Sequence, residues 1–595
     1  MQPDVPAVTR AFDYTVPDEV ARLVRVGTIV RVPLHGRRVR GWVLADDVES
    51  VVAPAQLRPL HQVVSAGPPP DVVALCEWAA WRWAGPVATF LRAASPPSIV
   101  DPAVTVEVDA ALYPEVALPS ALSDADAMKG AVRVVKWPPA SDRRELVRSL
   151  LATEGSSLVL VPEPARAGAL VRTIERDGRE VLYVHGALAD RERTAAWDEA
   201  RRGATVVVGG RASVFLPLPD LRAVVVLDEG DEAFQDERAP TWHARDVAVE
   251  RARRVGAPIT LVSPTPTVEA RVVGESFAAP TSRGLRGGWS RLEVVDQRDD
   301  EPGRGLLSSA LGPALHRAVA PGGRGICIVN RKGRARILAC RACRELARCT
   351  TCGAAVAQPE HELVCLRCGT TRPSVCAHCG ATRFRAVRPG VKAARDEVAA
   401  LVPHFDVAEI DATTEGVPDT PVIVGTEAAL HRVPRDRARP VRLVAFLAFD
   451  EALLAPRYRA PEQALWLLVR AARLLGARGD GGVLLVQTRM PDHDVLAVPA
   501  TGDPEPFAAA ETAVRMATGF PPFGGLAELG GVGPAVAAAA DSARDVGLTV
   551  LGGTEARALL RAPSTDELCD RLAAVDFSAA RTLGRLRVAV DPPRV

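Results

Sequence analysis

Val224-Val225-Val226-Leu227-Asp228-Glu229 decides the fold class, because an unbroken apolar run ends there in two acidic residues. Such a run is typical of a strand buried on both faces, as in a parallel sheet covered by helices. Similar runs recur along the chain with room for a helix between them, in two sets around this one: 158–162, 181–184, 205–209 and 259–263, then 325–329, 407–411, 422–426, 443–447 and 483–487. The sequence therefore predicts an α/β protein with two parallel-sheet lobes.

The acidic pair gives these lobes a candidate function. Two parallel-sheet lobes in tandem form the engine of helicases and translocases, where an acidic pair at a strand end holds Mg²⁺ and orients water. Asp228 and Glu229 are therefore the candidate remnants of a catalytic site.

Eight of the eleven cysteines lie between positions 340 and 379, as four Cys-x-x-Cys pairs: Cys340/Cys343, Cys349/Cys352, Cys365/Cys368 and Cys376/Cys379. Two such pairs supply a tetrahedral S4 zinc site, so the spacing predicts two structural zinc ions. We expect a nested arrangement, in which the two inner pairs hold one ion and the two outer pairs hold the other. His361 and His378 remain alternative ligands.

The composition restricts the class of protein only broadly. The 595 residues carry a net charge of +1, with four lysines against 69 arginines, so any attraction to nucleic acid must be local. Six arginines and no acid lie between positions 20 and 45, and the cysteine region is also basic. No apolar run is long enough to cross a bilayer and no signal peptide is visible, so we expect a cytoplasmic protein without membrane contact.

The first hundred residues suggest a small β-rich domain. Alternating apolar residues near Gly27 and Gly41 predict strands. The tripeptide Phe12-Asp13-Tyr14 stands before them and offers two aromatic rings that could stack on a base.

A series of short motifs resembles the PriA family of primosomal replication-restart proteins. The motifs follow the family's order along the chain: 10–17, 160–163, 209–215, 228–231, 234–235, 242–246, 263–266, 330–333, the four cysteine pairs, 458–462 and 519–523. The resemblance implies RecA-like helicase lobes with a two-zinc insertion, a domain at the N-terminus that binds the 3′ end of DNA, and a small α/β domain at the C-terminus. It also implies DNA contacts from these residues: Phe12, Asp13, Tyr14, Arg31, Arg245, Arg331 and Lys332.

The chain departs from this family where ATP would bind. A P-loop needs glycine amides and a lysine to hold phosphates, yet residues 136–145 contain two prolines and no glycine, and Arg143 stands in the lysine's place. The family's arginine-finger segment is replaced by Arg473-Leu474-Leu475-Gly476-Ala477. We therefore expect ATP and Mg²⁺ not to be used and hydrolysis to be absent or negligible, although Arg470, Arg473 or Arg478 could supply a finger in a working site.

These patterns divide the chain into six parts. We expect a 3′-end-binding domain over 1–95, a linker over 96–129 in place of a winged helix, degenerate lobe 1 over 130–290, lobe 2 over 291–337 and 386–496, a zinc insertion over 338–385 and a C-terminal domain over 497–595.

The function that the sequence favours is binding of stalled or branched replication forks with a 3′ end, and assistance in reloading the replicative helicase. The resemblance implies a single-strand-binding protein and the replicative helicase or its loader as partners. Two alternatives stay open: an active ATP-dependent 3′–5′ DNA helicase, and a zinc-ribbon adaptor that binds proteins.

Overall fold

The computed structural model describes most of the chain, namely residues 1–5, 8, 10–102, 131–300, 307–329, 337–359, 362–365, 367–387, 394–411, 413–436, 438–552 and 556–594. Most of the expected linker, the predicted DNA contacts Arg331 and Lys332, and the alternative zinc ligand His361 lie outside these residues. Among the helices that are described, none combines the length and the apolar character that a membrane span requires.

The N-terminal part is a small antiparallel sheet followed by two helices. Its elements are β1 Gln2–Pro3, β2 Tyr14–Thr15, α1 Asp18–Ala21, β3 Ile29–Leu34, β4 Arg37–Trp42, β5 Arg58–Pro59, β6 Gln62–Ser65, α2 Pro70–Arg82 and α3 Val87–Ala94. Strands β3 and β4 form a tight hairpin, and the sheet order is β1-β4-β3-β6.

Lobe 1 is a parallel sheet of seven strands in the order β13-β7-β12-β11-β8-β10-β9. Its strands are β7 Val132–Lys136, β8 Ser156–Leu160, β9 Val181–Val184, β10 Val206–Gly209, β11 Leu221–Leu227, β12 Ile259–Ser263 and β13 Ser276–Ala278. Its helices are α4 Arg144–Leu150, α5 Gly168–Glu175, α6 Asp190–Arg201, α7 Ala244–Val255, α8 Val268–Val273 and α9 Ser282–Gly287. The five predicted strands are present, and β7 and β13 extend the sheet beyond them.

Lobe 2 is a second parallel sheet, of six strands in the order β14-β24-β23-β15-β22-β21. The strands are β14 Arg291–Asp296, β15 Arg324–Ile328, β21 Val407–Ile410, β22 Val422–Gly425, β23 Val441–Phe446 and β24 Val483–Thr488. The helices are α10 Leu311–Val319, α11 Ala394–Leu401, α12 Ala428–Arg432, α13 Asp450–Leu453, α14 Ala460–Leu475, α15 Asp494–Thr501 and α16 Glu505–Thr518. The prediction of two tandem parallel-sheet lobes is confirmed.

The cysteine-rich segment leaves lobe 2 after β15 and returns before α11. Strands β16 Ile337–Cys340 and β20 Phe384–Val387 pair at its base. Between them lies a three-stranded sheet of β17 Val356–Ala357, β18 Glu362–Cys365 and β19 Thr371–Pro373. Short antiparallel strands with tight turns suit a segment whose small core combines cysteines with a few aliphatic residues.

The C-terminal part is a four-stranded antiparallel sheet covered by helices, as the predicted α/β domain requires. It contains β25 Gly525–Gly531, α17 Gly533–Asp545, β26 Thr549–Leu551, β27 Arg557–Ala562, α18 Thr565–Ala574, α19 Ser578–Thr582 and β28 Leu586–Val590. The predicted strand near the end of the chain is β28.

One hydrophobic core joins the N-terminal helices, one face of the lobe 1 sheet and the C-terminal sheet. Phe90 of α3 packs against Phe215 and Trp242 of lobe 1, with ring centroids 6.1 and 6.3 Å away. The indole of Trp81 in α2 donates to Asp570 of α18 at 3.0 Å. These parts therefore pack as one body around lobe 1. This packing holds the acidic residues at the end of β11 in place.

Candidate functional site

The acidic strand end is formed by Asp228 and Glu229, which directly follow β11 at the carboxyl edge of the lobe 1 sheet. Both side chains are buried, with exposures of 1% and 0%. Asp228 has a backbone φ of 60°, a left-handed conformation that aspartate tolerates better than most residues. The turn places the two carboxylates side by side in the interior, where each needs compensating charge or hydrogen bonds.

Asp228 receives that compensation from two arginines. Arg143 Nη1 donates to Asp228 Oδ2 at 2.6 Å, and the guanidinium of Arg473 in α14 donates to Oδ1. Burial raises the pKa of Asp228, but the charges of Arg143 and Arg473 outweigh burial and lower it below its usual range. The carboxylate is therefore ionised, and each of its oxygens accepts from a guanidinium of the chain itself.

The loop in the P-loop register, residues 137–143, uses its amides internally. The amide of Ala140 donates to the carbonyl of Gly288, and that of Ser141 donates to the carbonyl of Pro138. Pro138 and Pro139 have no amide hydrogen to offer. Asp142 pairs with Arg144 at the surface. The loop therefore lacks the inward row of amides that cradles a phosphate.

Glu229 is satisfied by residues that belong to the fold. Its oxygens accept from the amide and hydroxyl of Thr267, both at 2.9 Å, and from Arg245 Nη1 at 3.2 Å. Burial raises the pKa of Glu229, in spite of the charge of Arg245. In this setting Glu229 holds Thr267, whose hydroxyl caps the start of α8 by accepting from the amide of Ala270.

Arg245 corrects one of our predictions. We expected it to contact DNA, but its side chain is 3% exposed and pairs with Glu229 and with Asp246, the latter at 2.8 Å. The reason is its position at the start of α7, a helix that packs against lobe 1. A guanidinium buried between two carboxylates is not presented to a phosphate backbone.

The remaining N-terminal candidates lie near the surface. Tyr14 is held by its hydroxyl, which donates to the carbonyl of Pro33 at 3.1 Å. Asp13 accepts from the hydroxyl of Ser50 at 2.6 Å, and Phe12 lies under the guanidinium of Arg10. Arg31 is exposed on β3 opposite Arg40 of β4. On this small domain Asp13 and Arg31 are thus exposed, whereas Phe12 and Tyr14 are half-buried.

The eight cysteines converge as two groups of four. One comprises Cys340, Cys343, Cys376 and Cys379, the other Cys349, Cys352, Cys365 and Cys368, and within each group the sulfurs lie within 4.8 Å of one another. These are the sets that the nested arrangement predicts, and neither includes His378. Nearest sulfurs are 3.5–3.6 Å apart, far beyond a disulfide of about 2.05 Å and close to the ~3.8 Å edge of a tetrahedron with Zn–S of about 2.3 Å.

Comparison with known proteins places these features in a family. A family model described as 3'DNA-binding domain (3'BD) matches residues 3–96. The probable replication restart protein PriA of Mycobacterium tuberculosis strain H37Rv is 30% identical over 580 residues, covering 91% of this chain and 87% of its own length. The chain belongs to the PriA family.

Other members of the PriA family match this chain over different shares of their length. The probable replication restart protein PriA of Mycobacterium leprae is 29% identical, with 89% of this chain and 87% of that protein covered. For the replication restart protein PriA of Bacillus subtilis the identity is 25%, with 63% of this chain and 50% of that protein covered. The chain therefore spans about half of some PriA relatives and most of the mycobacterial ones.

Solved structures resemble this PriA-family chain only loosely. A DEAD box protein from Methanococcus jannaschii gives a TM-score of 0.29 at 11% identity, covering 66% of this chain and 87% of that one. The helicase Lhr of Mycobacterium smegmatis gives 0.32 at 14% identity, covering 78% and 61%. At these scores the fold assignment depends on the two parallel sheets themselves.

Sequence reasoning missed a buried ion network beside the acidic strand end. Arg515 of α16 is 1% exposed and contacts three glutamates, Glu269, Glu462 and Glu511. Glu269 also accepts from Arg459 at 2.6 Å, and Arg459 reaches Asp591 after β28 at 2.9 Å. The network joins both lobes to the C-terminal part. Arg515 falls in ordinary helix sequence, and the family motif around Tyr458–Glu462, which contains Arg459, was the one visible sign.

Proposed function

We propose that this PriA-family chain acts in replication restart by binding branched DNA and does not hydrolyse ATP. The observation that carries the second half is the double occupation of Asp228 by Arg143 and Arg473. A carboxylate that holds Mg²⁺ needs a free oxygen, and a phosphate cradle needs free amides. The residues present offer neither, so they do not fit Mg·ATP.

The DNA-binding part of the proposal is supported by the 3′DNA-binding-domain match at residues 3–96 and by the exposed side chains of Asp13 and Arg31 within it. A forked substrate would place its nascent 3′ end near Phe12, Asp13 and Tyr14, with Arg31 near the phosphates. Phosphate contacts of this kind make affinity fall with salt.

A further part of the proposal concerns the two cysteine groups. Four thiolates at tetrahedral spacing leave no coordination position open, so the ions would be structural and not catalytic. In this proposal two zinc ions fix a basic surface beside lobe 2, which would face DNA or a partner protein. A single-strand-binding protein and the replicative helicase or its loader are the partners that restart would require.

An ATPase assay with forked DNA tests the loss of the motor. We expect no fork-stimulated turnover by the wild-type chain, and no difference for Asp228→Asn. Asp220→Asn, which changes an exposed aspartate paired with Arg222 in the same lobe, is the matched control. Turnover that Asp228→Asn abolishes and Asp220→Asn leaves intact would establish the active helicase instead.

Gel shifts test the fork proposal against a protein adaptor. Forks with a free 3′ hydroxyl should bind more tightly than forks blocked at the 3′ end, with a steep dependence on salt. Phe12→Ala should remove the 3′-end preference, while Phe277→Ala, at an exposed aromatic of lobe 1, should keep it. Equal binding to both forks at all salt concentrations would favour the adaptor.

A further inference from the structure

Helix α14 of lobe 2 lies directly against the acidic strand end of lobe 1. Arg470 Nη2 contacts Asp231 Oδ1 at 3.0 Å, and Arg473 contacts Asp228. The two arginines are three residues apart and so share one face of the helix. Both aspartates are buried, with exposures of 4% and 1%. Two ion pairs whose carboxylates are buried therefore cross the boundary between the lobes.

Gly230 shows how closely the lobes approach between these two ion pairs. A Cβ atom at this position would lie 2.5 Å from Thr267 Cγ2 and 2.8 Å from Nε1 of Trp466 in α14. Cβ atoms do not approach other heavy atoms so closely. The indole of lobe 2 thus occupies the space that any larger residue at 230 would need, and the close approach depends on glycine.

Further contacts join the lobes at other points of the same boundary. Glu269 of lobe 1 pairs with Arg459 of lobe 2 at 2.6 Å. The amide of Val268 in lobe 1 donates to Glu462 of lobe 2 at 3.1 Å. Farther along the cleft, Glu163 lies 3.1 Å from the imidazole of His431. Contacts between the lobes therefore recur along the boundary, and most of them involve charged side chains.

We propose that chain-supplied cations of α14 hold the two lobes closed, so that the closed arrangement needs no nucleotide and DNA meets one rigid surface. In an ATP-driven pair of lobes, the nucleotide and its metal supply the charge that draws lobe 2 onto lobe 1. Here Arg470 and Arg473 bring positive charge to the aspartates of lobe 1 permanently. A chain that merely lacks hydrolysis could still have mobile lobes, so this inference goes beyond the proposed function.

Measuring the distance between the two lobes tests directly whether they stay closed without nucleotide. Spin labels would be attached through noncanonical amino acids at Glu175 and Ala320 of the full chain, which are exposed on lobe 1 and lobe 2 respectively, so that the cysteines stay untouched. Pulsed electron paramagnetic resonance then gives the distance distribution. We expect one narrow distribution, unchanged by a non-hydrolysable ATP analogue with Mg²⁺ and by forked DNA.

Two kinds of variant should open the lobes by different means. Arg470→Ala with Arg473→Ala removes both cations, and each lost buried pair should lower the ratio of closed to open molecules on the order of a hundredfold. Gly230→Leu keeps every charge and places a side chain against Trp466. Both should add a population at longer distance.

Matched controls are available for each variant. Arg435→Ala breaks an exposed ion pair with Asp480 inside lobe 2, and Gly186→Leu adds a side chain where nothing lies within 4 Å of the Cβ position. Both should keep the wild-type distribution. A wild-type distance that shortens with nucleotide would overturn the proposal, as would folded Gly230→Leu and double-arginine variants, checked by circular dichroism, that keep the wild-type distribution. The ATPase result stays independent of either outcome.

Discussion

The cysteine module and the acidic strand end are both clusters of ionisable side chains, but they obtain opposite charge in different ways. Each cysteine group brings four sulfurs within 4.8 Å of one another, an arrangement in which four thiolates can share one bound cation such as zinc. At the strand end, arginines of the chain already contact both oxygens of Asp228. A cluster of ligand-type residues is therefore available to a ligand only where the chain leaves the charge of the cluster uncompensated.

The cysteine module should show the largest effect when its ligands are removed. Cys352→Ser takes one ligand from the inner group, and structural zinc contributes about 10–16 kcal/mol of apparent binding free energy. We expect metal analysis to fall from about two zinc ions per chain to about one, with residues 349–368 becoming sensitive to protease. Cys327→Ser, at a buried thiol outside both groups, should keep two ions. Two ions in Cys352→Ser would contradict the assignment.

Replacing Arg515 tests how much stability the chain gains when an arginine neutralises fully buried carboxylates. Arg515→Met leaves Glu269, Glu462 and Glu511 without this shared partner, and breaking a buried pair costs about 3–5 kcal/mol. We expect a lower midpoint of thermal unfolding. Arg571→Met, which breaks a half-exposed pair with Glu567 within α18, should cost less than about 1 kcal/mol. Equal losses would show that burial of the network matters little.

Replacing Arg143 tests how much the arginine partners of Asp228 stabilise the acidic strand end. Arg143→Ala leaves one oxygen of buried Asp228 without its partner, which should cost about 1–3 kcal/mol of unfolding free energy. The neighbouring substitution Arg144→Ala breaks a solvent-exposed pair with Asp142 and should lower the free energy of unfolding less than Arg143→Ala does. Denaturant unfolding of both variants gives the comparison. A stabilised Arg143→Ala would indicate that Arg143 is held there at a cost, as in a site kept for a ligand.

The smallest effect is expected at Glu505 of α16, which is half-exposed and pairs with Arg271 and Lys136. Hydrogen bonding to Arg271 lowers the pKa of Glu505 to about 2. A lowered carboxyl pKa contributes stability above its unfolded value of about 4.3, and this stability is lost as the pH falls through about 2. Glu505→Gln should therefore destabilise the chain by about 1 kcal/mol at pH 7, after allowance for solvent screening.

Thermal midpoints across pH check the sign of this effect. The difference between wild type and Glu505→Gln should narrow as the pH falls from 4 toward 2, and it should also narrow in ~1 M salt at pH 7. A difference that grows on acidification would show that the carboxylate is not stabilised by its cationic neighbours.

Local patterns predicted most of the fold. Continuous apolar runs identified ten strands of the two lobes, whereas β7, β13 and β14 were missed. Strand β7 carries Arg133 and Lys136, and β13 has only three residues, all exposed, so neither presents the apolar run of a central strand. The spacing of the cysteine pairs similarly indicated which sulfurs meet, since each pair forms its own turn.

Short stretches of sequence are enough to predict the two-lobed architecture, the cysteine groups and the lack of glycine in residues 136–145, because strands, knuckles and loops form from neighbouring residues. The partners of Asp228 could not be predicted in this way. Its partners Arg143 and Arg473 lie 85 and 245 residues away along the chain, and many of the 69 arginines could have reached a carboxylate as well. Packing of α14 against lobe 1 selects among them, and packing between distant segments has no local pattern.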